Sequence, residues 1–447
     1  MNVKHILVHS SKRQFCLAAV VLAFAIRLAA LAVTGLPKND ELYEHGGIAH
    51  NLYSGHGFSY HALYIYTSLL SERRQVMAIA PTFLSANQPP LNPYLLYFTY
   101  CLFGETKTAL LVLSLFNCVV GAGTVLIVYA ISKNISHEAA ARLSAISCAL
   151  FLPGAQTVVK LFGTTIFIAI GLWSILALIN ALTMMNRKTS LLLGLSFGAW
   201  SWARSEAILL SGILLCIVGI VWYKRKYPLR AIALNITFTI GILIAVLSPW
   251  TYRNYLLFGR FMPTVSRPWH EVWRGNNILF EGSLYRVHGQ PGDLTAGDTL
   301  LNRRLMMRLD SLPYDQKFEV RADDVFKDEA LSYMKANPAH TVVMTALKAV
   351  EIWTFDMFYP KTRHPIYLLS LLPWTFFAIV GIALRWRAGI LRRDQYAIIV
   401  CLSLIYAYYT GIFGVTFYMV RYQVYFISLL LPFVGIGVWR LLPNRFK

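Results

Sequence analysis

The chain has 447 residues, of which 57% are hydrophobic and 14% charged, with a mean hydropathy of +0.52; that is too apolar and too charge-poor for an ordinary soluble protein. Its formal net charge is +20, yet the basic residues cluster in short connections between apolar runs. This pattern sets membrane topology and argues against a nucleic-acid partner.

The first apolar run, 15–36, follows Lys4, Lys12 and Arg13 and carries Arg27 within it. It is long enough to span the hydrocarbon and lacks a small-residue cleavage site, so the reading is an uncleaved first helix. The chain then emerges through KNDELYEHGGIAHNLYSGHGF (38–58), placing Asp40 and Glu41 at a membrane surface. Residues 89–104, opened by prolines, are too short to span comfortably and read as an interfacial helix. Further spans are predicted over 109–131, 139–158, 162–184, 190–203, 206–222, 230–250, 366–385, 394–413 and 418–439. The basic connections Lys133 to Arg142, Arg187-Lys188, Lys224 to Arg230, Arg385 to Arg393 and Arg440 to Lys447 are all assigned to the cytoplasm. Holding them there forces the apolar block 190–222 to go out and return, turning near Arg204-Ser205-Glu206. The prediction is an all-α polytopic protein with about ten spans and both termini inside.

Two long outer segments result, 37–107 and 251–340. The second contains an amphipathic stretch from Asp315 to Ala336, closed by Asn337-Pro338. Residues 341–358, with Lys348 and Glu351, read as a second interfacial helix, and 366–439 as three closing spans. The six cysteines show no metal-ligand spacing and read as small core residues without a disulfide framework. No internal repeat or low-complexity tract is visible.

Several local patterns occur in the order found in one family. Asp40-Glu41 followed by YEHGGIAHNLYSGHGFSY, QPPLNPYLLYFTYCLFGE (88–105), GLSFGAWSWARSEAILL (194–210), PWTYRNYLLFGRFMPTV (249–265) with WRGNN (273–277), and VRYQVYFISLLLPF (420–433) resemble the motifs of GT-C glycosyltransferases. The likeness is to the bacterial branch related to protein mannosyltransferases and the aminoarabinose lipid A transferase, and it covers nearly the whole chain. It implies a single integral domain in a bacterial inner membrane with its site on the periplasmic face. There a sugar would pass from a polyprenyl-phosphate donor to a lipid, glycan or protein acceptor, with inversion and release of polyprenyl phosphate. The absence of a nucleotide-cradling glycine loop fits a lipid-borne donor.

Such transfer requires a base, cations for the leaving phosphate and a groove for the isoprenoid tail. Asp40 matches the family's first acid and is the expected base, with Glu41 in support; the structural alternative is that both cap the helix beginning near Glu44. Arg204, Arg253, Lys160, Arg421 and Arg27 are the candidates for phosphate contacts. For arginines at helix ends the competing role is snorkelling; Arg27, deeper in its span, needs a partner or hydration, with Glu206 or a phosphate as options. His45, His50, His56 and His61 cluster in the first outer loop, and His45 and His50 are candidate ligands of a divalent metal. Surface histidines are the plainer account. Many relatives carry an acid in the outer loop after the third span, whereas this chain reads VVKLFGTT (158–165), which weighs against a metal. Trp269, Trp273, Asn276, Asn277 and His56 are candidates for sugar or acceptor contacts, with an interfacial belt for the tryptophans and loop bracing by Gly275-Asn276-Asn277 as the alternatives.

Two other classes remain open. A transporter or flippase of polyprenyl-linked sugars would place ionisable groups or broken helices at mid-membrane, and here polarity concentrates in the outer loops. An O-antigen ligase or polysaccharide polymerase would use a diphosphate-linked donor and a dominant late outer loop.

Overall fold

A computed structural model describes residues 11–37, 42–60, 83–277, 280, 286–287, 290–291, 303–313, 315–389, 393–417 and 419–442. Asp40, Glu41 and His61 lie outside these described residues. The first span, α1 (Lys12–Thr34), starts where the Ser11 side chain accepts the backbone N–H of Gln14 and ends at Gly35. Two short helices follow on the first outer segment, α2 (Tyr43–Tyr53) and α3 (Leu91–Phe103). The bundle continues with α4 (Lys107–Ile135), α5 (Glu138–Leu150), α6 (Leu152–Gln156), α7 (Thr164–Thr183), α8 (Arg187–Ala203), α9 (Ala207–Lys224) and α10 (Leu229–Phe258). The second outer segment holds α11 (Pro268–Arg274), a small antiparallel pair β1 (Arg286–Val287) and β2 (Gln290–Pro291), α12 (Arg303–Asp310), α13 (Phe318–Ala336) and α14 (Pro338–Glu351). A turn, α15 (Pro360–Arg363), leads to the closing spans α16 (Pro365–Gly389), α17 (Arg393–Val415) and α18 (Val420–Leu441).

Among the described residues, eight helices are long and apolar enough to cross a membrane. Two of the predicted spans fall outside that set. The predicted span 139–158 is divided: α5 has 13 residues, Phe151 turns to extended backbone and α6 restarts the helix. Pro153 explains the break, because it has no N–H to offer the carbonyl four residues back. The other, α8, is a helix of 17 residues. Neither α3, with 13 residues, nor α14, with 14, is among the eight.

The last helix is the hub. Of its most apolar stretch, 78% is buried, against α16, α5, α7 and α4. Such close approach needs small residues. A Cβ on Gly435 would lie 2.1 Å from the Ala140 carbonyl oxygen, and one on Gly437 equally close to that of Phe377. Pro432 lies inside α18, and its own carbonyl accepts the hydroxyls of Ser132 (2.5 Å) and Ser144 (2.9 Å). Those bonds tie α18 to α4 and α5 in an interior where an unpaired polar group is costly.

The basic turns Lys133 to Arg142, Arg187-Lys188 and Lys224 to Arg230 sit at one end of the bundle. At the other end meet the C-terminus of α1, the first outer segment, the α6–α7 connection, the α8–α9 turn, the second outer segment and the N-terminus of α18. The candidate residues converge there.

Candidate functional site

Two arginines face one ring at that end. The chain leaves α8 at Arg204, whose backbone is extended (φ −142, ψ 111), and α9 opens three residues later at Ala207. Arg204 Nε donates to Glu206 Oε1 at 2.7 Å. The guanidinium lies over the rings of Tyr422 (4.7 Å), Tyr425 (5.2 Å) and Phe413 (5.8 Å). Burial works against the charge, but Glu206 and the surrounding tyrosine oxygens outweigh it and hold the Arg204 pKa above its ordinary value. The box is rigid: Trp200 Nε1 donates to the Tyr425 hydroxyl at 2.7 Å, the Tyr409 and Tyr425 hydroxyls are 3.1 Å apart, and Tyr408 donates to the Glu206 carbonyl at 2.7 Å.

Arg421, at the first turn of α18, lies over Tyr422 (5.4 Å) and over Phe162 of the α6–α7 connection (5.2 Å). It forms no ion pair among the described residues, and its buried Nε has no hydrogen-bond acceptor among them. His45 of α2 is buried within electrostatic reach of this arginine. Burial lowers its pKa to about 4, with Arg421 adding to the effect and Glu44 opposing it. Thus α2, which begins two residues after Glu41, lies beside Arg421. Asn92 of α3 fixes the neighbouring connection by donating to the Leu161 carbonyl at 3.0 Å. Gly163 there has φ +77, and a Cβ would clash with Asn92 at 2.8 Å, so only glycine fits. Lys160 of the same connection is exposed.

The remaining histidines diverge. His50 Nδ1 pairs with Glu105 at 2.7 Å on the exposed side of α2, while His56 is exposed beyond the end of α2. Among the described residues no three His, Cys, Asp or Glu side chains group as metal ligands do. With His45 buried within electrostatic reach of a cation and His50 held by Glu105, the described part of this set does not fit a divalent ion.

Arg253 has a different setting. Its Nη1 donates to the Ser85 carbonyl (2.6 Å) and its Nη2 to that of Phe58 (3.0 Å), with the guanidinium stacked over Trp250 at 4.6 Å. Next to it, Asn254 donates to the Met262 carbonyl at 3.0 Å and Trp250 Nε1 to that of Thr264 at 2.6 Å. The P-W-T-Y-R-N segment therefore joins both outer segments to the end of α10. Glu319 of α13 extends the joint by accepting the Ser85 hydroxyl (2.7 Å), the Ala86 N–H (3.1 Å) and the Ser266 hydroxyl.

The WRGNN segment closes α11 against α14 and α17. Lys348, fully buried, donates to the carbonyls of Gly275 (2.8 Å) and Thr416 (2.6 Å). Asn276 Nδ2 donates to Val272 and Val415 carbonyls, and Asn277 Nδ2 to the Trp273 carbonyl at 2.9 Å. A Cβ on Gly275 would stand 1.8 Å from the Thr416 oxygen. Trp273 packs on His270 and Phe326, and Lys327 lies over Trp269 at 5.5 Å. Asp323 accepts the His270 N–H at 2.9 Å, and burial raises its pKa to about 6 despite that bond. Burial likewise lowers Lys348 to about 7 and raises Glu351 to about 9.

Arg27 joins neither arginine. Glu206 is engaged by Arg204, and Arg27 Nη1 donates to its own helix at the Ala23 carbonyl, 3.1 Å away. The residues that sequence reasoning missed are aromatic: Phe162, Phe413, Tyr422 and Tyr425. Their one sequence signal was the Arg421-Tyr422 pair.

Residues 87–252 match the family model described as dolichyl-phosphate-mannose-protein mannosyltransferase, which is less than half of the chain. No protein of curated function matches the sequence significantly. Among solved structures, the oligosaccharyltransferase AglB from Archaeoglobus fulgidus, in complex with an inhibitory peptide and a dolichol-phosphate, aligns with a TM-score of 0.58 at 12% identity, over 96% of this chain and 50% of that one. The apo form of the Archaeoglobus fulgidus oligosaccharyltransferase gives 0.55 at 13% identity, over 96% and 51%. ArnT from Cupriavidus metallidurans, bound to undecaprenyl phosphate, gives 0.42 at 13% identity, over 96% and 79%. The chain thus spans about half the length of AglB. The chain is a polytopic membrane protein that shares the fold of AglB, and part of it is similar to the mannosyltransferase family model.

Proposed function

We propose that the chain transfers a sugar from a polyprenyl-phosphate donor to an acceptor at the membrane face bearing the two outer segments, which the positive-inside rule assigns to the periplasmic side of a bacterial inner membrane. The observation that carries this reading is Arg421. A cation whose Nε has no hydrogen-bond acceptor among the described residues, set over the rings of Tyr422 and Phe162, suits a phosphate at the edge of the hydrocarbon. Arginine matches phosphate oxygens with a planar fork of donors, and a dry setting strengthens the attraction. The dolichol-phosphate bound by AglB is a ligand of the same chemistry.

The reaction is a single displacement. Asp40, which precedes α2 by three residues in the sequence, removes the acceptor proton as the acceptor oxygen attacks the anomeric carbon from the face opposite the phosphate. The bond from carbon to phosphate oxygen breaks, the sugar is inverted, and Arg421 stabilises the phosphate that leaves on its polyprenyl chain. Arg204, already neutralised by Glu206, orients Tyr422 and sets the local field. Glu41 supports Asp40, and Lys160 lies at the rim. No step is routed through a metal.

Purified protein in lipid nanodiscs, given a panel of polyprenyl-phosphate sugars and a membrane extract as acceptor source, should release polyprenyl phosphate. Asp40→Asn should lower that release by about 100-fold or more while remaining folded. Intact translocation of the lipid-linked sugar without release would replace this reading with the flippase, and equal release by both proteins would remove Asp40 from the centre.

A further inference from the structure

Arg27 is a buried cation with no anionic side chain paired to it among the described residues. It is 4% exposed within α1, seven residues and so about 10 Å from the end of that helix at Thr34. It forms no ion pair among the described residues, and its Nε has no hydrogen-bond acceptor among them. A guanidinium stays protonated at any accessible pH, and a lone charge at this depth is strongly unfavourable unless compensated.

The side chain borders a small cavity between α1, α4, α5, α7 and α18, where the centre of a water-sized sphere has about 10 Å³ to move. Thr124, Thr157, Thr165, Ser428 and the Cys148 thiol line it, with Phe151 at one wall. The Thr124 hydroxyl donates to the Gly121 carbonyl at 2.6 Å and the Ser428 hydroxyl to that of Val424 at 2.7 Å. These are local bonds within a helix, to carbonyls that also serve the helix ladder, so both protons can turn into the cavity without stranding an acceptor. The Thr157 and Thr165 hydroxyls, 2.7 Å apart, add a further rotatable donor. Gly121 makes the space: a Cβ there would lie 2.5 Å from Arg27 Nε.

We propose that this cavity binds one monatomic anion of the chloride class, held by Arg27 and by the hydroxyls of Thr124, Thr165 and Ser428. The space matches a single sphere and is small for a phosphate or carboxylate, which have several heavy atoms. The anion neutralises the guanidinium inside the bundle and locks α1 to α4, α7 and α18.

The test measures thermal unfolding of the full chain in nanodiscs at constant ionic strength, with chloride replaced stepwise by gluconate, and separately with bromide or inorganic phosphate. Chloride and bromide should raise Tm saturably and phosphate should not. Crystals grown in bromide should show an anomalous peak beside Arg27. Thr165→Val, which keeps shape and removes one donor, should weaken the halide midpoint roughly tenfold; Gly121→Ala should abolish the halide response. A wild-type Tm indifferent to halide, with no bromide peak, means that the cavity holds water only and overturns the proposal whether or not the variants fold. A shift with phosphate alone also overturns it.

Discussion

Arg204 and Arg421 share the ring of Tyr422, at 4.7 and 5.4 Å from its centroid, but of the two only Arg204 forms an ion pair with a carboxylate among the described residues. The two positive charges are therefore not equivalent. Removing Arg204 strands Glu206 in a mostly buried box, so Arg204→Met is expected to destabilise the fold by about 3 kcal/mol. Removing Arg421 leaves no described carboxylate without its ion-pair partner. Arg421→Gln should leave Tm close to wild type and lower sugar release by about 100-fold. Arg421→Lys should recover only part of it, since an ammonium lacks the bidentate fork. Thermal unfolding and turnover measured on the same preparations separate the cases; a large loss of Tm in Arg421→Gln would make this arginine a structural one.

A second prediction concerns pH. His45 is buried and neutral, with a pKa of about 4, against about 6.5 in an unfolded chain. Between those values the unfolded chain takes a proton that the folded one refuses. Stability is therefore complete above pH 6.5 and falls as pH drops toward 4, by up to about 3 kcal/mol from this residue. His270, lowered to about 4 chiefly by burial, acts in the same direction. Wild-type Tm should decline across that window, and His45→Gln should decline less steeply. Identical slopes would show that His45 is not held neutral.

The helices were legible because apolar runs and basic turns are long-range signals repeated at every crossing. Where the sequence fell short, the cause was local or tertiary. Pro153 breaks a span that hydropathy alone runs through to residue 158. The sequence offered Glu206 as a partner for Arg27, but residues two apart across the α8–α9 turn meet more easily, and Arg204 takes it. Lys348 reads as a charge on a wet interfacial helix, and only the assembled fold shows it buried on two carbonyls. Arg253 had two readings, phosphate ligand and snorkelling cation, and its observed bonds to Phe58 and Ser85 connect positions 195 and 168 residues away. Periodicity carries no trace of such pairs.

The closure of the WRGNN segment yields a third prediction. Gly275 meets Thr416 so closely that a methyl group would overlap its carbonyl. Gly275→Ala must displace either α11 or the end of α17, and little monodisperse protein should be recovered. Lys348→Met should be milder. It leaves the Gly275 and Thr416 carbonyls without their buried donor, at about 1–3 kcal/mol for each acceptor left unsatisfied. Normal recovery and wild-type Tm for both variants would mean that this contact does not hold the cap.

Arg253 gives the last test, because its two roles predict opposite results. As a brace it holds the Phe58 and Ser85 carbonyls with two arms of one planar group, above the Trp250 ring. Arg253→Ala should then free the first outer segment, speeding amide exchange around Phe58 and Ser85 and lowering stability by about 3 kcal/mol. Arg253→Lys should rescue only part of this, because its single point charge cannot reproduce the fork. As a phosphate ligand it would instead raise the donor KM with little change in exchange or Tm. The engaged donors of Arg253 favour the first outcome, and a KM effect without loss of stability would reassign it to the donor site.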